Sequence, residues 1–461
     1  MNRLLKYIYY KSSRFLQNIY CSLYGLYIIK DRYNNIFEKY FKESFNSYSL
    51  TSREVKENQR NKLKILLFVA SKSKFWDKRF KFYNIDIFSA DPIKEIKKLP
   101  ILTRNEVKDN LKDILINKKY LKLYTKSNLK RCSTSGTTGS GLIFFETSES
   151  QAMRWSIWWR YRALIGINRG MWCGLFGGRS LISPKDTKPP FWRINLPGKQ
   201  VLFSTFHISE NNSIYYFNEI KKRKLKWLHG YPSALSLLAS YALKNKIDGF
   251  DDLQIITTGA ENLFHHQKWI IEKAFNVSVM DHYGQAEGVA NFSQTDRKNY
   301  LVDEDFSIVE FISTNQKYKY KIVGTSLHNL AFPLIRYDTQ DIANMKNLET
   351  EFNEKWRKVH SIDGRSEDYI LLKDGSKAGR LDQLFKDLVD IVEAQFVQNE
   401  PGKVELFIVP SINFNNNSLD KLNQLFYEKF YDRLELNINK VKNIKRSKNG
   451  KLRFVKSKYK I

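Results

Sequence analysis

The run Ser133-Thr134-Ser135-Gly136-Thr137-Thr138-Gly139-Ser140-Gly141 concentrates hydroxyls and glycines in one short stretch. Glycine lets a backbone close on an anion, and hydroxyls with exposed N–H groups donate to phosphate oxygens. Thr134, Ser135, Gly136, Thr137, Thr138 and Gly139 are therefore phosphate-clamp candidates. The run has no GK[ST] ending and leads into the β-rich stretch Leu142-Ile143-Phe144-Phe145, where a nucleoside-triphosphatase P-loop would open a helix. Taken alone it reads equally well as a Ser/Thr/Gly surface loop.

Three further stretches carry suitable chemistry. Leu253-Gln254-Ile255-Ile256-Thr257-Thr258 runs into Gly259, Ala260 and Glu261. The carboxyl edge of a strand in an α/β sheet is where ligands sit, and small residues there let a flat base stack on backbone. Asp281-His282-Tyr283-Gly284-Gln285-Ala286-Glu287 ends a second strand with an aromatic suited to adenine, Tyr283, and a carboxylate able to hold Mg²⁺ beside phosphates, Glu287. Asp341, closing Pro333-Leu334-Ile335-Arg336-Tyr337-Asp338-Thr339-Gln340-Asp341, can accept hydrogen bonds from both hydroxyls of a ribose. His282 reads as a structural histidine. His265 and His266, adjacent at a helix start, face different directions and make a poor metal pair. Lys448-Asn449-Gly450-Lys451-Leu452-Arg453, read alone, is a solvated basic tail.

These residues need a scaffold, and periodicity supplies one. Helix-like stretches at 151–164, 233–243 and 265–275 alternate with extended ones at 171–176, 253–256 and 277–280, as expected of an α/β sheet with crossover helices. Beyond residue 333 the pattern changes, with Gly364, Gly375 and Gly379 punctuating short apolar runs. An amphipathic helix over 382–397, a strand over 404–409, a helix over 418–433 and a basic terminal loop are expected there. Two domains follow: 1–363, including a basic, aromatic helical segment over 1–35, and a smaller α+β domain over 364–461. With 461 residues, 42% of them hydrophobic and 14% aromatic, most of the chain should fold.

The excess of 77 Lys and Arg over 48 Asp and Glu gives a formal charge of +29, a field attractive to nucleotides, nucleic acid or anionic lipid alike. Cys21, Cys132 and Cys173 lie far apart with no CxxC pair, so neither a disulfide framework nor a thiolate zinc site is indicated, and a reducing cytoplasm is the simplest setting. The uncharged stretch 15–29 follows Lys6, Lys11 and Arg14 and falls short of the roughly 20 apolar residues a membrane span needs. Two arrangements stay open for it: a helix packed on the main domain, or a basic amphipathic helix on a membrane surface, which would place the protein peripherally at the inner face.

In order, these segments resemble the adenylate-forming superfamily. They are most similar to its phenylacetate–CoA ligase branch with the related capsular-polysaccharide ligase-like proteins, over nearly the whole chain. The 134–139 loop is similar to the family's phosphate-binding signature, and Tyr283-Gly284-Gln285-Ala286-Glu287 to its YGxxE element. Residues 333–341 match a PLIRYxTGD pattern except that Gln340 replaces glycine. Gly364-Arg365 with Asp368 resembles the hinge into a mobile C-terminal domain, and Gly450-Lys451 the closing element with its catalytic lysine.

The resemblance implies a large multi-sheet adenylation domain and a mobile α+β C-terminal domain. It implies that ATP and Mg²⁺ activate a small-molecule carboxylic acid. Lys451 would be catalytic, Gly259, Ala260, Glu261, Tyr283, Asp341 and Arg365 would bind adenine and ribose, Glu287 would hold the metal, and Asp368 would be the hinge. Ser140-Gly141 stands where relatives carry Lys-Pro or Thr-Pro, and residues 288–302 contain neither Cys nor His, so no metal beyond Mg²⁺ is expected.

The acyl acceptor is left open between CoA and an amine or hydroxyl, for example on a sugar of a surface polysaccharide. Trp155, Trp158, Trp159 and Tyr161 span more than one helical face and divide between core packing and an acyl pocket. The alternative of another class is a basic membrane-peripheral or nucleic-acid-binding protein without enzyme activity. No nucleic-acid motif accompanies the charge, so no specific nucleic-acid partner is expected.

Overall fold

The computed structural model describes residues 3–125, 129–133, 142–179, 181–183, 186–345, 356–363, 369–379, 381–385, 390–411, 413–447 and 450–459. The chain divides into two compact units, each built from separated segments. The first comprises Met1–Tyr27, Arg169–Asp281 and Gly364–Ile461, and the second Ile28–Asn168 and His282–Asp363.

The first unit contains the parallel strands expected from the alternating pattern. Ile255–Gly259, Trp227–Gly230, Cys173–Phe176 and Gln200–Phe203 run side by side in parallel, and Trp192–Asn195 closes the edge antiparallel to the last of them. Helices Glu210–Lys222, Pro232–Lys244 and His265–Phe275 form the crossovers. Their apolar residues, among them Tyr216, Phe217, Leu235, Leu238, Ile270 and Phe275, are buried in one core with the strand residues Phe176, Phe203 and Leu228. Parallel strands covered by helices need continuous apolar runs, and this core has them.

Residues 364–461 add a second sheet to the same unit. Its strand order is Glu435–Lys440, Lys403–Pro410, Ile391–Glu400, Val455–Ser457, with helix Asn416–Phe430 contributing Leu422, Phe426 and Phe430 to its core. The amphipathic helix expected over 382–397 is not there. A short 3₁₀ turn covers Leu381–Phe385, residues 386–389 lie outside the described residues, and Ile391–Glu400 is a strand flanked on both sides. Six consecutive residues from Ile391 are buried, because a central strand covered on both faces loses the alternation that betrays a strand. Val404–Val409 forms a strand as expected.

At the N-terminus, helix Arg3–Lys11 packs through Tyr9, which joins Cys21 and Leu202 in a small apolar cluster, and helix Arg14–Arg32 turns its polar and small residues Gln17, Cys21 and Gly25 inward. Along the edge strand Trp192–Asn195, Asn18 accepts from the Ile194 N–H at 2.9 Å. The Ser22 hydroxyl donates to the Ile194 carbonyl at 3.3 Å and accepts from Leu196 N–H at 3.2 Å. Gln17 accepts from the buried Arg193 guanidinium at 2.5 Å. Gly25 is required by proximity, since a Cβ there would lie 1.9 Å from Asn195 Oδ1. The side chains thus satisfy edge groups that a neighbouring strand would otherwise take.

The second unit is built on helices Asn35–Asn46, Ser52–Ala70 and Ser148–Leu164, the short antiparallel ladder 282–284, Asn291–Ser293, Tyr300–Val302, Lys358–Val359, and a four-stranded antiparallel sheet. The strands of that sheet are Ser307–Ser313, Lys319–Ser326, Tyr337–Asn344 and Ser361–Asp363. Arg160, fully buried, is held by Asp303 at 2.7 Å, Asp305 at 2.6 Å and the Ser44 carbonyl at 2.7 Å. A buried cation needs this number of acceptors. Trp159 and Tyr161 are buried as core, while Trp155 and Trp158 are only partly covered.

Candidate functional site

Within the first unit, strand Ile255–Gly259 ends in Ala260 at φ +67°, a left-handed conformation that costs an L-residue about 1–2 kcal/mol. The Lys451 ammonium donates to the Ala260 carbonyl at 2.8 Å and lies 5.8 Å from the ring centre of Tyr231. Beside it, Glu261 accepts from Leu452 N–H at 2.7 Å and from Ser233 N–H, in the first turn of helix Pro232–Lys244, at 3.2 Å. Burial, and then the charge of Glu261, push the Tyr231 hydroxyl up to about 12. Gly259, Ala260, Glu261 and Lys451, some 190 residues apart in sequence, are thereby brought together.

The turn that presents Lys451 has its own requirements. Gly450 sits at φ +72°, and its N–H donates to the Ser447 carbonyl at 2.9 Å. A Cβ on it would lie 2.9 Å from Thr205 Oγ1 and 3.1 Å from Gly178 Cα, so both dihedral and space call for glycine. Ser447 closes the turn twice: its N–H donates to the Lys451 carbonyl at 3.0 Å, and its hydroxyl accepts the Lys451 N–H at 3.2 Å.

Upstream, Arg446 donates to the Ser233 hydroxyl and forms an ion pair with Glu393, whose side chain is completely buried. Burial pushes the Glu393 carboxyl up to about 7, against the pull of Arg446 and helped by the nearby charge of Glu261. Sequence inspection singled out neither Arg446 nor Glu393. Their pairing across 53 residues has no local signature.

Within the second unit, Tyr283 donates to Asp341 at 2.8 Å and Gln285 donates to the same carboxylate oxygen at 2.9 Å. Tyr283 is thus the immediate partner of the ribose candidate, and its ring lies 4.9 Å from that of Phe292. The bulge that aims Asp341 explains the glycine missing from the sequence pattern. Register slips between Lys321 and Val323, and Gln340 takes φ +64°. Glycine is the inexpensive residue for such a conformation; here Asp338 accepts the Gln340 N–H at 2.8 Å and Thr339 accepts the Asp341 N–H at 3.1 Å to hold it.

Glu287 is buried, 4.0 Å from Arg104. Among the described residues no group of three or more His, Cys, Asp or Glu could hold a metal ion. One carboxylate fits Mg²⁺ only in the manner of nucleotide sites, where phosphate oxygens and water complete the shell. His282 is enclosed by Trp158 and Tyr161 at ring distances of 5.8 and 5.3 Å. That loss of hydration, with the Arg162 charge adding to it, pushes the imidazole down to about 3, as suits a structural histidine.

The residues 134–139, Thr134, Ser135, Gly136, Thr137, Thr138 and Gly139, lie outside the described residues, as do Arg365 and Asp368. What flanks the hydroxyl-rich loop is described: Lys130–Ser133 and Ile143–Glu146 pair antiparallel, with Ser133 opposite Ile143. Arg154, another residue that sequence inspection passed over, ties this hairpin to the Tyr283–Glu287 segment. It donates to Glu146 at 3.0 Å and to the Ala286 carbonyl at 2.7 Å.

Comparison with known proteins agrees with this architecture. The family described as the CapK C-terminal domain matches residues 371–458. Protein CapK of Staphylococcus aureus is 25% identical over 461 residues, covering 98% of this chain and 99% of its own length. Among solved structures, 2-hydroxyisobutyryl-CoA ligase in the postadenylation state, in complex with R3-HIB-AMP, superposes with a TM-score of 0.64 at 15% identity, covering 87% of this chain and 88% of that one. The same ligase in the thioesterification state, with 2-HIB-AMP and CoA, gives 0.51 at 16% identity over 88% and 90%. The fold is therefore that of an adenylate-forming ligase, α/β with several sheets, and the chain is similar along its length to CapK.

Proposed function

We propose that this protein activates a small carboxylic acid with ATP, forming an acyl-adenylate and releasing pyrophosphate, and then passes the acyl group to the CoA thiol with breakage of the acyl–phosphate bond and release of AMP. One observation carries the proposal: the C-terminal turn delivers the Lys451 ammonium to the carboxyl end of strand Ile255–Gly259. When the acid's carboxylate attacks the α-phosphorus, negative charge grows on the non-bridging oxygens. A compact cation preorganised at that point stabilises it.

In this mechanism Gly259 and Ala260 offer backbone to the adenine, and Asp341, oriented by Tyr283 and Gln285, takes the ribose hydroxyls. The 134–139 loop and Arg365 complete the nucleotide contacts. Glu287 would hold Mg²⁺, which supplies charge neutralisation for the leaving pyrophosphate. Residues 364–461 act as a mobile domain hinged at Asp368, so that Lys451 withdraws before the acyl transfer. The alternative acceptor is an amine or hydroxyl, such as one on a sugar.

A panel of aryl, aliphatic, uronic and amino acids offered with ATP and Mg²⁺, with adenylates trapped by hydroxylamine, tests the first step. Comparing CoA with amine acceptors tests the second. Failure of every acid to support ATP cleavage would overturn the proposal.

A further inference from the structure

Amphipathic helices ordinarily bury their apolar face. Helix Arg14–Arg32 instead buries a narrow stripe of polar and small residues, Gln17, Cys21 and Gly25, and helix Arg3–Lys11 buries Tyr9 and leaves Leu4, Leu5, Tyr7 and Ile8 outside. Helix Arg14–Arg32 spends Gln17, Asn18 and Ser22 on the protein, and helix Arg3–Lys11 anchors through Tyr9, whose hydroxyl donates to the Leu181 carbonyl at 3.0 Å. What is left outside is apolar. Twelve of the twenty-six exposed large apolar or aromatic side chains among the described residues fall between residues 4 and 27. Leu4, Tyr7, Phe15, Leu23 and Tyr27 are each more than half exposed. A concentration of this kind marks an interaction surface.

The charge around the patch decides what covers it. The first thirty residues carry Arg3, Lys6, Lys11, Arg14 and Lys30 and no Asp or Glu, within a chain of net +29. Lys11, ending the first helix, and Arg14, opening the second, are exposed, and the exposed Arg179 lies 5.6 Å from the Tyr24 ring. A second copy of the chain would bring the same cations face to face. A negatively charged bilayer complements both the apolar side chains and the cations, and Tyr and basic residues suit its interfacial zone. No described helix is long and apolar enough to cross a membrane, so the segment would lie in the plane of the surface.

We propose that the outward face of helices Arg3–Lys11 and Arg14–Arg32 is a docking surface for an anionic lipid bilayer. This does not rest on the adenylation chemistry. The test is cosedimentation of the full chain with vesicles of phosphatidylcholine alone, or of phosphatidylcholine mixed with phosphatidylglycerol. The protein is expected to pellet with the mixed vesicles and to be released by salt.

Phe15→Ser/Leu23→Ser/Tyr27→Ser should weaken binding by about a thousandfold or more, since each lost apolar insertion is worth at least about tenfold against the exposed state. Lys11→Gln/Arg14→Gln, at exposed positions that leave the fold intact, should weaken binding to the mixed vesicles by about 25-fold, from roughly 1 kcal/mol per cation at the surface. Both variants are checked for an unchanged thermal transition. Should the triple variant fail to fold, the charge variant decides. Absence of vesicle binding, binding indifferent to the charge variant, or a stable dimer by light scattering that the triple variant dissolves would each overturn the proposal.

Discussion

Replacing Lys451 by alanine should separate its proposed catalytic role from folding, because the two would depend on different atoms of the same residue. The backbone of Lys451 closes the turn with Ser447 through its N–H and its carbonyl, and alanine keeps both bonds. The ammonium donates to the Ala260 carbonyl at 2.8 Å in an exposed hydrogen bond and lies 5.8 Å from the Tyr231 ring centre. Loss of such a surface contact shifts stability by no more than about 0.5 kcal/mol. Its proposed contribution to the transition state is far larger, since one preorganised donor is worth about 10²–10³ in rate, or roughly 2.7–4 kcal/mol. Lys451→Ala is therefore expected to lose ATP–pyrophosphate exchange by that factor while its KM for ATP and its melting temperature stay near those of the parent. Lys451→Arg should not restore exchange, because a planar guanidinium replaces a point charge in a turn fixed by Gly450. Near-normal exchange in the alanine variant, using any acid that the parent enzyme activates, would refute the assignment.

Further predictions concern the supports. Tyr283→Phe removes a donor to Asp341 and should raise the KM for ATP by roughly 10- to 150-fold, from about 1.5–3 kcal/mol for a hydrogen bond to a charged group, with kcat little changed in steady-state assays. Glu393, ordinarily near 4.5 and raised to about 7 by burial, binds its proton more tightly folded than unfolded, so it favours folding at acid pH and that contribution is lost as pH rises from 4.5 through about 7. Urea denaturation of Glu393→Gln across that window should show a flatter pH dependence than the parent. Gly25→Ala places a Cβ on the Asn195 side chain, which must give up its bonds to Gln200 and Gly198 or push the helix away, and should cost about 1–3 kcal/mol, read as a lowered melting temperature.

What the sequence disclosed followed the range of the interactions. Parallel strands such as Ile255–Gly259, with their crossover helices, follow from apolar periodicity, a local property. The stretch 382–397 reads as helix although Ile391–Glu400 is a strand, because burial on both faces removes the alternation of a strand. The missing glycine at position 340 became intelligible only from the bulge, with Asp338 and Thr339 holding the left-handed turn. Lys451 alone looked like part of a solvated tail, and family resemblance, not local chemistry, singled it out. The pairings Arg446 with Glu393, Arg154 with Ala286 and Tyr283 with Asp341 join residues at least 53 apart, where composition and spacing carry no information. The helix Arg14–Arg32 showed the opposite failing: its amphipathicity was visible, but which side faced the protein was not.

That helix has a consequence for any shortened version of the chain. Asn18 and Ser22 occupy backbone groups of Trp192–Asn195 that a strand would otherwise claim. Deleting the first 27 residues would uncover an open sheet edge, and the resulting species should self-associate by strand addition rather than simply lose a surface segment. Point substitutions on the outer face leave this seal in place; truncation removes the cap that keeps the sheet from polymerising.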